Sequence, residues 1–123
     1  MDVRNTPNKM NTPPQFPNDN NGDVLRRMYA AGDDLTKARM IDFCFIFPER
    51  RQALAFAEIV DDKDKEVCIS YYEEQEMWEV IVQHYMVPDH SGITAMEAAL
   101  TIKADSVGGK ADGWGSMQVR RRD

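Results

Sequence analysis

Four bulky apolar side chains, Ile41, Phe43, Phe45 and Phe47, recur at every second position of RMIDFCFIFP. Successive side chains of a strand point to opposite faces, so this spacing gathers three aromatic rings and an isoleucine on one face. A face that apolar must be covered by helices or by a second sheet. The other face, with Asp42, Cys44 and Ile46, is mixed rather than polar. That mixture predicts a central strand, because an edge or a wet face would read as a clean apolar–polar alternation.

The remaining elements follow from the same reasoning. Asp23 can cap a helix in which Val24, Leu25 and Met28 share a stripe and which Gly32 ends, predicting a short helix over 23–31. Pro48 is expected to open a second helix, with Glu49 complementing its dipole and Ala53, Phe56, Ala57 and Val60 forming its apolar stripe. KEVCISYY (65–72) and MWEVIVQHYMV (77–87) alternate as strands across the polar turn 73–76, and so short a connection makes them antiparallel neighbours. A loop over 88–92, where Asp89 or Ser91 can cap, leads to a helix carrying Ile93, Met96, Leu100, Ala104 and Val107. Gly108-Gly109 stops it, and Lys110–Val119 is the last strand. The expected fold is therefore α+β, a ferredoxin-like βαββαβ sandwich with an additional N-terminal helix. Right-handed crossovers give a four-stranded antiparallel sheet of spatial order 4-1-3-2.

A chain of 123 residues is expected to form one domain. Residues 1–21, rich in Asn and Pro and without net charge, read as a disordered arm; 22–119 read as the folded domain and 120–123 as a basic tail. No apolar run suits a membrane span or a signal-peptide core, which predicts a cytoplasmic protein. Cys44 and Cys68 fall on the first and second strands with the third between them. Their backbones should lie about 10 Å apart, too far for a disulfide, so both are expected to be free thiols.

Net charge is -6, and it is concentrated. Residues 58–79 hold nine carboxylates against two lysines. Such a surface repels phosphate backbones and suits a basic protein segment. Catalytic chemistry has no foothold. Ser91 and Ser116 have no evident base. His84 and His90 read as a strand and a loop histidine without the converging ligands a metal needs, and no metal or cofactor is expected. GGKADGWG lacks both phosphate-loop spacings and precedes a strand rather than a helix. An RNA-binding sheet would display aromatics in a basic surround, whereas the outer positions here are Asp42, Cys44, Ile46, Glu79, Ile81, Gln83 and Tyr85. That partly apolar strip needs a cover, and the N-terminal helix is the expected one. Trp114 is expected to anchor the last strand on the core. Gly113 and Gly115 on its other face would let a backbone, again that helix, come close, and Asp112 would hold the turn.

Gly32-Asp33-Asp34-Leu35, Ile41-Asp42-Phe43, Phe47-Pro48, Ala53 with Phe56-Ala57, Trp78, Gly108-Gly109 and above all Asp112-Gly113-Trp114-Gly115 occur in an order that resembles the RraB family, regulators of ribonuclease E activity. The likeness spans about 23–119. It implies a ferredoxin-like fold, no catalysis and action by protein contact, since studied members bind ribonuclease E and reduce its RNA-cleaving activity. The chain departs from the family in its Asn/Pro-rich start and in stopping at Arg120-Arg121-Arg122-Asp123, where inhibitory members can bear a long acidic tail. The expected function is thus a non-enzymatic, monomeric regulator that binds a basic segment of a ribonuclease E-like enzyme. Its expected contact is an acidic patch of Glu58, Asp61, Asp62, Asp64, Glu66, Glu73, Glu74 and Glu76. The alternative with the same electrostatics is a small acidic immunity- or antitoxin-like protein that neutralises a basic partner.

Overall fold

A computed structural model describes residues 14–122. The elements are α1 (Asn20–Ala30), β1 (Arg39–Phe47), α2 (Arg50–Val60), β2 (Lys65–Tyr72), β3 (Met77–Met86), α3 (His90–Ser106) and β4 (Lys110–Ser116). The four strands form one antiparallel sheet in the order β2-β3-β1-β4, with β1 and β3 in the middle as the sequence predicts. The architecture is the α+β, ferredoxin-like βαββαβ arrangement preceded by one helix.

Ile41, Phe43, Phe45 and Phe47 are all fully buried on one face of β1. Phe56 of α2 sits against two of them, its ring centroid 5.0 Å from Phe45 and 5.2 Å from Phe47. Val80 and Val82 of β3, Ile93, Leu100 and Ala104 of α3, and Leu25 of α1 complete the core. All three helices therefore contribute to the same side of the sheet.

Three helix starts differ from the expectation. α1 begins at Asn20, because Asp19 rather than Asp23 caps it: the Asp19 carboxylate accepts the Gly22 N–H at 2.8 Å. Residues 1–13 of the expected arm lie outside the described residues; of the rest, Phe16 packs against the core and Asn20-Asn21 open α1. α2 begins at Arg50, two residues after Pro48, because Glu49 is its extended N-cap and donates its N–H to Gln52 Oε1 at 3.0 Å. α3 starts at His90, which moves that residue from the expected loop into the helix, with Asp89 capping through the Gly92 N–H. Gly108 ends α3 as expected: its N–H reaches the Asp105 carbonyl at 3.2 Å, and the Gly109 N–H reaches Ala104 at 2.9 Å. A side chain on Gly109 would run into the buried Phe47 ring, so that position is held by close approach.

Candidate functional site: the acidic edge, the last strand and the open face

The eight acidic positions are not one patch. Glu58 lies in the last turn of α2, and Asp61, Asp62 and Asp64 lie in the connection to β2. Glu73, Glu74 and Glu76 occupy the turn at the other end of β2, which is an edge strand of eight residues. At about 3.4 Å per residue, β2 separates the two groups by roughly 25 Å, with Glu66 on the strand between them. All eight are exposed. Asp62 is the most engaged. Lys65 Nζ approaches its carboxylate at 3.0 Å and the Asp64 N–H donates to it at 2.8 Å. These two bonds, the lysine's first, hold its carboxyl below the usual range. The turn acids border a depression of about 480 Å³ lined by Ser70, Tyr71, Tyr72, Glu73, Glu74 and Glu79.

Asp112-Gly113-Trp114-Gly115 is a structural device on the other edge. β4 pairs with β1 through Phe43–Trp114 and Phe45–Ala111, so Asp112 and Gly113 together oppose the single residue Cys44. This is a β-bulge, and Gly113 takes φ +97° within it, a conformation glycine adopts without strain. Asp112 is thus a bulge residue, not the turn residue expected. The bulge keeps Trp114 on the inner face, where it packs against the core. Its Nε1–H donates to Asn21 Oδ1 at 2.9 Å, and the Asn21 amide donates in turn to Thr94 and Glu97 of α3 at 3.1 and 3.2 Å. One indole thereby joins β4, α1 and α3. The expected approach of α1 to Gly113 and Gly115 does not occur: among the described residues nothing lies within 4 Å of a Cβ built at either. α1 has gone to the inner side, because Leu25 is needed in the core.

The outer face of the sheet is consequently uncovered by any described helix. Its middle row runs Cys68, Ile81, Cys44 across β2, β3 and β1. Both cysteines are free, as expected for residues two strands apart. Burial first, and then Glu79, Asp42 and Asp112, push the Cys44 thiol up to about 11. Cys68 is exposed. At pH 8 roughly a thousandth of Cys44 is then thiolate, the reactive form. Iodoacetamide at that pH is expected to alkylate Cys68 at least tenfold faster than Cys44, read by mass spectrometry; equal rates would show that this face opens in solution.

A buried ion pair that no sequence pattern signals lies behind the Gly32-Asp33-Asp34-Leu35 motif. Asp33 and Arg39 are 2% and 6% exposed, with Arg39 Nη2 at 2.8 Å and Nη1 at 3.2 Å from the two carboxylate oxygens. The C-terminal arginines are also tied to this region. The backbone at Arg120 forms an isolated antiparallel β-bridge with that at Asp33, and Arg121 lies over the Tyr29 ring at 4.0 Å while donating to the Tyr29 and Asp33 carbonyls at 2.6 and 3.1 Å. The histidines are separately engaged. His84 Nδ1 is 3.1 Å from the Asp64 carbonyl, and His90 Nε2 is 2.9 Å from Asp19. Among the described residues no three His, Cys, Asp or Glu converge as metal ligands, and no helix is long and apolar enough to cross a membrane.

Comparison with known proteins adds one finding. The family model described as "Regulator of ribonuclease activity B" matches residues 18–116, which begin one residue before the cap of α1 and end with β4. No curated protein matches the chain.

Proposed function

The chain belongs to the RraB family, regulators of ribonuclease activity, and from that premise we propose that it binds a ribonuclease E-like endoribonuclease directly and lowers its RNA-cleaving activity without catalysing a reaction itself. The family match over 18–116 carries this reading and favours it over an immunity-type role. The electrostatics support it. Carboxylates at both ends of β2 and along it present negative charge to a partner whose RNA-binding segments must be basic. By covering such a segment the protein would compete with RNA for it, as a monomer in the cytoplasm where RNA is degraded.

The test is cleavage of a single-stranded RNA by a purified ribonuclease E-type enzyme of the same host. Adding the protein is expected to slow cleavage near stoichiometric ratios. The inhibition should weaken as salt rises from about 0.05 M to about 0.5 M, because exposed charges are screened over that range. Changing Glu73, Glu74 and Glu76 to Lys is expected to weaken inhibition about tenfold or more, mainly by slowing association. Undiminished inhibition by that variant would remove the turn acids from the contact.

A further inference from the structure

We propose that the open face of the sheet, centred on Ile81 and framed by Asp42, Glu66, Glu79 and Asp112, is where this chain docks a cationic segment of the ribonuclease; the inference rests on the regulatory reading above and names the surface it uses. The register puts these residues together. Cys68, Ile81 and Cys44 form the central row. Glu66, Gln83, Asp42 and Gly115 form the row on one side, and Ser70, Glu79, Ile46 and Lys110 the row on the other. The face therefore has an apolar centre and flanking carboxylates, with Lys110 as the cation in these rows. In the register Asp42 lies beside Cys44 on β1, Asp112 opposes Cys44 in the bulge and Glu79 lies beside Ile81 on β3, so carboxylates flank the middle of the face.

Charge and shape together select the occupant. A second copy of this chain would set the same carboxylates against one another across a twofold axis. An RNA strand would meet them with its phosphates. A protein segment with an apolar residue over Ile81 and Lys or Arg on either side meets every row favourably. Two features give it room. The missing side chains of Gly113 and Gly115 leave the β4 side of the face low, with nothing described above them. At the opposite end the face runs into the depression lined by Tyr72, Glu74 and Glu79, where a guanidinium can lie on a ring and pair with a carboxylate. The acids at the ends of β2 then attract the segment, and the face holds it.

Gly115→Arg tests this without touching the core. The new side chain enters open space opposite Asp42 and supplies the cation the partner would bring. Binding to the purified ribonuclease E-type enzyme is measured by surface plasmon resonance for the unchanged protein, Gly115→Arg, Cys68→Lys on the other side of Ile81, and the Glu73, Glu74, Glu76→Lys variant. Thermal melts verify folding. The expected result is that both face variants keep their melting temperature and bind tenfold or more weakly through faster dissociation, whereas the turn variant loses affinity through slower association. Unchanged affinity in both face variants overturns the proposal and leaves the regulatory reading standing. No binding by the unchanged protein overturns that reading and this proposal with it. A dimer of the unchanged protein in sedimentation that Gly115→Arg dissociates overturns it in favour of contact between two copies. Binding of a single-stranded RNA oligonucleotide by the unchanged protein that Gly115→Arg and Cys68→Lys both tighten overturns it in favour of nucleic acid.

Discussion

Asp33→Ala is expected to cost about 3–5 kcal/mol of folding stability, a large share of what a domain of this size possesses. The loss comes from what the substitution leaves behind. Arg39 is 6% exposed, so its guanidinium would remain in the interior without a counter-charge. In other proteins, replacing both members of a buried pair by apolar residues can be neutral or stabilising. Here the double variant Asp33→Leu, Arg39→Met is expected to stay destabilised by about 1–2 kcal/mol, since partly buried carbonyls would lose their donors. Arg39 donates to the carbonyls of Lys37 at 2.9 Å, Asp34 at 2.8 Å and Met117 at 3.1 Å, while Asp33 accepts the Val119 N–H at 3.2 Å. The pair thus staples the loop after α1, the start of β1 and the chain beyond β4. Urea unfolding of the two variants measures both quantities. A double variant as stable as the unchanged protein would reduce Arg39 to a counter-charge for Asp33.

No pattern in the sequence points to that staple. Burial of β1 is legible because Ile41, Phe43, Phe45 and Phe47 repeat with the period of a strand, and the strand order follows from the βαββαβ order of elements joined by right-handed crossovers. A lone Arg at the head of such a strand carries no periodic signal, and its charge reads as exposure. Only the fold brings it to Asp33 and to the segment after β4. The start of α1 was hidden for a related reason. Its first turn, Asn20-Asn21-Gly22-Asp23, is polar and resembles the stretch before it, yet Asn21 is the residue that receives the Trp114 N–H.

The open face shows a different limit. Pattern alone established that Cys44, Ile46, Ile81 and Tyr85 share a side and that this side is partly apolar. It could not decide what covers them, because α1 has one apolar stripe and two surfaces that could use it. Leu25 is fully buried in the core, so the inner surface won. The acidic positions are all exposed, yet they do not form one patch. Nearness in sequence does not survive an extended strand, and β2 carries its two ends apart.

Trp114→Ala is expected to lower stability by about 2–4 kcal/mol, below the figure for a fully buried tryptophan because the indole is only half-buried. For a domain of this size that corresponds to a drop of about 10 °C or more in melting temperature. Trp114→Phe separates the two parts of the effect. It keeps a ring against the core but removes the N–H that Asn21 accepts and part of the indole's bulk, so the expected loss is about 1–2 kcal/mol, smaller than for Ala. Asn21 adds a consequence beyond packing. With its carbonyl unpartnered, the contacts of its amide to Thr94 and Glu97 also loosen, and α1 should exchange its amide protons faster than α3 in the Ala variant. The same variant distinguishes a packing anchor from a binding residue. If Trp114→Ala melted at the temperature of the unchanged protein but failed to bind the ribonuclease, the indole would be a contact for the partner. A lower melting temperature, with binding restored on cooling well below it, assigns Trp114 to the joint between β4, α1 and α3. The glycines beside it then belong to the face on the other side of the strand.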